Sequence, residues 1–184
     1  MAASDNQDNI LDYAGAFKLK TCNILSYRKS NNSEKAVRQN ILPQLLNLSL
    51  VEDVTQPCLS GHIDVNDGID FRTMLPITGM EKLELRVFTP GQDEIKFIEG
   101  ETDCFNIYKI EKIRGANSMS SRESMYRIHF VSREAYRNST VRISRAFAGP
   151  VEDAVLEIVK DKKYLDSRKV CHLEPTVSNT KVVI

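Results

Sequence analysis

The chain has no CxxC pair. Its four cysteines, Cys22, Cys58, Cys104 and Cys171, stand tens of residues apart. Zinc ribbons and redox dithiols need closely spaced ligands, so neither is expected. At this low density a disulfide framework is not expected either, and the thiols read as reduced, as in a cytosolic compartment. No apolar run approaches the roughly 20 residues that span a bilayer. Met1 to Asp12 is polar and acidic, without the basic segment and apolar stretch of a signal peptide. Neither charge is in excess: Lys plus Arg and Asp plus Glu number 25 each. A zero net charge argues against a nucleic-acid binder acting through its whole surface, and it leaves little repulsion between copies. GxGxxG and Walker sequences are missing, which removes support for nucleotide chemistry. No repeat occurs at a solenoid period.

What is present is ordinary in amount and ordered in pattern. The 184 residues are 41% apolar and 27% charged, enough for one domain with a core, or one domain plus a small lobe. Apolar side chains fall on every second residue in Leu46-Asn47-Leu48-Ser49-Leu50, again over Leu59 to Val65, and again in Leu83-Glu84-Leu85-Arg86-Val87. Period two means one buried face and one wet face. The spacing predicts three consecutive strands joined by tight turns, the start of an antiparallel meander. Asn66-Asp67-Gly68 is a turn signal, and Thr89-Pro90-Gly91-Gln92 suits a type II turn with a returning strand over 94–98.

Elsewhere, 17–27 reads as a first strand with a phase slip before Ile24. Cys104 to Ile113 switches phase between Phe105/Ile107 and Tyr108/Ile110, which predicts a bulge or a strand buried on both faces. Tyr126, Ile128 and Phe130 alternate with Arg127 and His129. Val141 and Ile143 alternate with Arg142 and Ser144, and Val170 and 182–184 look strand-like. Loops are expected at 28–35 and 114–124 from their Ser, Asn and Gly content. One helix is well signalled. Pro150 opens it, Glu152 and Asp153 lie in its first turn, and Lys160, Lys162 and Lys163 lie in its last. Its expected buried stripe is Val151, Ala154, Val155, Ile158 and Leu165. The fold expected is mainly β, an antiparallel barrel or sandwich with a helix after it. Residues 1–14 form an arm, 15–148 the barrel, and 149–184 a helix plus strands that begin a second lobe. The apolar end at Ile184 suggests the front part of a longer chain, or a last strand that pairs with another chain.

Candidate sites are few. Cys58, Ser60 and His62 would share one face of an extended strand, but a Cys/His nucleophile needs an orienting group and an oxyanion site. A solvated strand face explains them. Glu52-Asp53 and Asp64-Asp67-Asp70 are carboxylate clusters of the sort glycoside hydrolysis uses. They flank turns, where Asp bonds the local backbone, and they lack the calcium-loop pattern. His129 reads as a surface histidine, and His172 beside Cys171 is a weak metal signal. Arginines and aromatics interleave over 122–145, a face that could touch nucleic acid, although solvated strands account for it more simply. No catalytic, cofactor or metal residue is assigned.

The stretch from Val51-Glu52-Asp53-Val54-Thr55-Gln56-Pro57-Cys58 through Gly68, continuing to Leu75-Pro76-Ile77-Thr78-Gly79-Met80-Glu81-Lys82-Leu83, resembles the front of baseplate hub proteins of contractile-tailed bacteriophages. Phe105 to Ile110, Tyr126 to Ser132 and Pro150 to Lys162 are similar too, so the resemblance covers about 17–184. It implies a tail-tube-like barrel in a homo-oligomer, a trimer, with no enzymatic activity. Each hub subunit in that family supplies two barrels, and its chains are generally longer than this one. The implied partners are tail tube, spike and baseplate wedge proteins, with DNA in transient passage and no membrane insertion by this chain. The implied location is the virion tail baseplate, after assembly in the host cytoplasm. Two other functions remain open from the residues: a nucleic-acid or carbohydrate binding barrel, and a hydrolase using Cys58/His62 or the Asp64 cluster.

Overall fold

The computed structural model describes residues 17–26, 37–56, 58–68, 77–89, 93–98, 103–113, 124–176 and 182–183. The expected arm at 1–14, the loop at 28–35 and nearly all of that at 114–124 lie outside these residues. The elements are β1 (Lys18–Ser26), β2 (Val37–Asn40), a 3-10 turn (Leu42–Gln44), β3 (Leu45–Val51), β4 (Ser60–Asp67), β5 (Lys82–Phe88), β6 (Ile95–Phe97), β7 (Phe105–Ile113) and β8 (Ser124–Val131). Then come helix α1 (Arg133–Thr140), β9 (Ala146–Phe147), helix α2 (Val151–Lys160) and β10 (Val182–Val183).

Strands β1 to β8 form one antiparallel sheet in the order β2-β1-β5-β7-β8-β4-β3, with β6 added beside β5. The mainly β, antiparallel expectation is met. The barrel is not closed, because β2 and β3, at the two ends of the order, share no ladder. The sheet nevertheless curls. Cys22 and Ile24 from β1 share one apolar cluster with Ile63 and Val65 from β4, Leu83 and Leu85 from β5, Phe105 and Ile107 from β7, and Tyr126, Ile128 and Phe130 from β8. Only a sheet whose distant strands face each other brings those side chains together.

The chain passes from one end of this sheet to the other in a single step. Strand β2 ends at Asn40, the turn 42–44 follows, and β3 starts at Leu45. Ile41 is fully buried in the core and donates its backbone N–H to the Cys22 carbonyl at 2.9 Å. The turn touches both β1 and β4. Pro43 fits there because a turn needs no N–H from it. Thus a covalent corner, plugged by Ile41, joins two edges that hydrogen bonds leave open.

Several expectations need correction. The β3–β4 hairpin forms, but β4 lies beside β8 and not beside β5, so the meander ends after two strands. In the order of the sheet, β7 and β8 stand between β4 and β5. The common buried face of Leu46, Leu48 and Leu50 fails at a bulge. Leu45 pairs with Val65 and Asn47 with Asp64, so Leu46 is the extra residue and points outward. Residues 141–145 are irregular, as is Val170. Helix α1 ends at Thr140, and Val141 spends its N–H on the Arg137 carbonyl instead of a ladder. In α2 only Ala154 of the expected stripe is buried, and Val151 and Val155 are more than a third exposed.

Other readings hold. Strand β1 does slip, but between Leu19 and Thr21, earlier than the slip expected between Thr21 and Ile24, and the shift in β7 lies between Ile107 and Lys109. The returning strand is β6. Gly61 has a specific cause: a Cβ there would lie 2.3 Å from the Ser49 carbonyl oxygen and 2.7 Å from the Phe130 ring.

Truncating Ile41 to Ala should cost about 2–5 kcal/mol, as much as Leu85→Ala in the centre of the sheet. Urea denaturation of both variants checks it. A much smaller loss for Ile41→Ala would mean that the corner seals nothing.

Candidate functional site

The outward face of β3, β4, β8 and β7 carries two polar rows, one residue per strand. The first is Asn47, Asp64, Arg127 and Glu111, and the second is Ser49, His62, His129 and Lys109. Antiparallel register makes these side chains direct cross-strand neighbours. Arg127 grips Asp64 with two bonds, Nε to Oδ1 at 2.7 Å and one terminal nitrogen to Oδ2 at 2.9 Å. That guanidinium holds the Asp64 carboxyl below the usual carboxylate range, and Asp64 in turn holds Arg127 up. Glu111 takes Lys109 and, at 3.0 Å, His129 Nε2. The Lys109 ammonium first, then His129, keep the Glu111 carboxyl down at about 2. The His62 and His129 rings stand 6.0 Å apart. Tyr108, the extra residue of the β7 bulge, leans toward His129 at 5.9 Å.

This is the densest set of chemistry-bearing side chains on the sheet, but each carboxylate is already committed to a cation. A general base needs a free lone pair within reach of a substrate proton. Among the described residues, no three His, Cys, Asp or Glu side chains are grouped to hold a metal ion.

The other sequence candidates are dispersed. Cys58 precedes β4 and has Ser132, Glu134 and Lys169 around it, whereas His62 faces His129. Burial, then the charge of Glu134, push the Cys58 thiol up. A thiol held in that form is a poor nucleophile at neutral pH. Burial likewise pushes Cys22 up to about 12. All four cysteines are free. Glu52, Asp53, Val54, Gln56, Cys58, Leu59 and Lys169 line a cavity of about 680 Å³. Asp53 is used by its own turn, accepting from the Thr55 N–H at 2.8 Å and its hydroxyl at 2.7 Å. Asp67 is buried at the end of β4, and Asp70 lies outside the described residues.

Sequence reasoning missed a clasp between α1 and the segment after α2. Arg133 bonds Asp103 at 3.3 Å and also Asp166. Arg137 donates from Nε to the Tyr164 carbonyl at 2.9 Å and also to that of Lys162. Glu134, nearly buried, accepts from the Ser167 hydroxyl at 2.6 Å, with Lys169 Nζ 3.3 Å from its other oxygen. Burial raises the Glu134 carboxyl, but Ser167, the backbone and Lys169 together outweigh it and hold it low. The signal was present as Ser132-Arg133-Glu134, an extended N-cap residue with an acid in the first turn. The basic stretch is therefore largely spoken for. Arg127, Arg133, Arg137 and Arg145 each have protein partners.

Among the described residues, no helix is long and apolar enough to cross a membrane. In comparisons with known proteins, no family model, no curated protein and no solved structure matches this chain.

Asp64→Asn should destabilise the fold by about 1 kcal/mol, the scale of a partly exposed ion pair. A depressed carboxyl contributes stability above its unfolded value of about 3.9, lost as pH falls through the folded value. The gap between parent and variant should stay level from neutral pH down to mild acid and shrink below about pH 4. Urea titrations at stepped pH test this. A gap that widens in acid would mean that the carboxylate is not the stabilising form.

Proposed function

We propose that the chain is a structural subunit of a contractile phage tail, a baseplate hub protein that joins the tail tube to the central spike. The observation that carries this reading is an antiparallel sheet curled almost to a barrel, with two open edges. The stretches that resemble hub proteins coincide with its framework. Val51 to Gly68 spans the end of β3 and all of β4, Phe105 to Ile110 is most of β7, Tyr126 to Ser132 is most of β8, and Pro150 to Lys162 contains α2. A sheet with unpaired edges satisfies them by pairing across copies, and cyclic closure avoids open filaments. In this reading the chain forms a cyclic homo-oligomer, a trimer by the resemblance. It contacts tube, spike and wedge proteins in the virion and surrounds the path of the ejected DNA. The polar face serves as a wetted wall, not as a reaction centre.

A nucleic-acid or carbohydrate binding barrel finds less support, since Arg127, Arg133, Arg137 and Arg145 of the basic stretch are paired within the protein. A hydrolase finds less still, since Cys58 and His62 face different partners.

Reconstruction of particles that contain the protein tests the proposal. Copies should surround the tail axis at the tube-to-spike junction. Density at the tail periphery or in the capsid would overturn it, as would turnover of any substrate that is lost in Cys58→Ala.

A further inference from the structure

Helix α1 and the sheet together wall a cavity away from the polar rows. Lys82 of β5 and Asn106 of β7 are register partners, and so are their neighbours Leu83 and Phe105. Leu83 and Phe105 belong to the core, so Lys82 and Asn106 point outward. From α1 come Arg133, Tyr136 and Arg137, which share a face because residues three and four apart are neighbours on a helix. With Asp103, these residues line a cavity of about 250 Å³.

Charge in that wall is lopsided. Among the described residues, three cations, Lys82, Arg133 and Arg137, line it with one carboxylate, Asp103. Asp103 is already committed. It accepts from Arg133 at 3.3 Å and from the Arg168 backbone N–H at 3.3 Å, and the Arg168 guanidinium stands 3.6 Å away. Arg137 has carbonyls as its partners among the described residues, those of Tyr164 and Lys162. Neutral carbonyls leave its charge in place. They take two of the five N–H donors of the guanidinium and fix its plane. One edge of the fork is thus held rigid, and donors on the other edge remain for an anion.

The excess of two positive charges in the wall fits a phosphate monoester, which carries about −1.5 to −2 near neutral pH, better than a carboxylate. An arginine fork takes two phosphate oxygens at once, and an ammonium and an amide beside it add donors. The cavity falls below the roughly 300 Å³ at which sites for whole drug-sized ligands begin. It therefore suits the phosphate itself and leaves the rest of the ligand at its mouth. Tyr136 is half exposed there and offers a ring to an aromatic group.

We propose that this cavity binds the phosphate of a small aromatic phosphate monoester, with Arg137 and Lys82 as its main charges and Tyr136 packed on the aromatic group. This goes beyond the hub reading and does not depend on it.

Calorimetric titration of the purified chain with phenyl phosphate and with inorganic phosphate, at constant ionic strength, tests this. Both should saturate in the millimolar range or below, phenyl phosphate the tighter, and acetate should not saturate. Arg137→Gln and Lys82→Met should each weaken both phosphates about tenfold or more, the scale of one lost hydrogen bond to a charged group. Tyr136→Ala should remove the advantage of phenyl phosphate and leave inorganic phosphate unchanged. Arg145→Gln, which lies outside the cavity, should bind like the parent. Failure of either phosphate to saturate overturns the proposal, as does acetate bound as tightly. Parent-like binding by Arg137→Gln and Lys82→Met overturns it, and so does an equal loss in Arg145→Gln, which would mean that total charge alone matters. Equal affinity of the parent for the two phosphates overturns the aromatic part. A short single-stranded oligonucleotide that binds more tightly than phenyl phosphate, and loses binding in Lys82→Met, overturns the small-molecule part. Circular dichroism checks folding. If Arg137→Gln fails to fold, Lys82→Met decides alone, because Lys82 lies on the sheet and outside the α1 clasp.

Discussion

The structure depends on the crossing at residues 41–44. The chain leaves the sheet at one edge, β2, and re-enters at the other, β3, with one 3-10 turn between. Edges held that close force the sheet to curl, although no ladder joins them. Curling has local consequences. Register shifts occur in β1, β3 and β7, and a bulge bends and twists the strand that carries it. Glycine stands at position 61, where the Phe130 ring crosses a neighbouring backbone and leaves no room for a Cβ. A second seam opens on the far side, where β5 pairs with β7 over just two residues before β6 takes over. Phe97, Phe105 and Phe130 stack through that seam with centroids 4.6 and 4.7 Å apart. Aromatic rings supply packing where the ladder is short.

Charge follows the same economy. Buried carboxylates are costly unless each has donors. Glu81 accepts from the backbone N–H groups of Thr78, Gly79 and Met80 and from the Thr78 hydroxyl, which shapes the turn into β5. Gly79 sits there at φ +94°, a conformation that favours glycine. Glu84 gathers Arg38 and Asn23 and so ties β5 to β1 and β2. Asp64 and Glu111 have Arg127, Lys109 and His129. Around these carboxylates charge is balanced locally as well as in the total.

The parts of the fold legible in the sequence were those set by period two. Leu59, Ile63, Val65, Leu83, Leu85, Val87, Tyr126, Ile128 and Phe130 were readable as one core; all but two are buried in it, Leu59 only packs against it partly buried, and Val87 lies outside it. The bulge in β7 was readable because the apolar phase visibly switches between Ile107 and Tyr108. Ile41 was not, since a single apolar residue between two short elements has no period. Strand order was not either: alternation says which face is buried but not which strand lies beside it. Helix α1 was missed because Arg, Asn, Ser and Thr dominate it, and its tie to the rest runs through Arg133 and Arg137 rather than an apolar stripe. The polar rows were legible as wet faces. Their pairing was not, because it follows from register across strands distant in sequence.

The unequal edges carry the last step. A ring or filament built head to tail needs two different surfaces on each subunit, one giving and one receiving. Strand β3 is the longer edge and the uncharged one, whereas β2 is short and carries Arg38 held by Glu84. A head-to-tail sheet through many copies would have to pair the long edge with the short, charged one, which edges of that kind resist. The same corner that curls the sheet thus leaves it with two unequal edges, one long and uncharged, the other short and tied down by an ion pair.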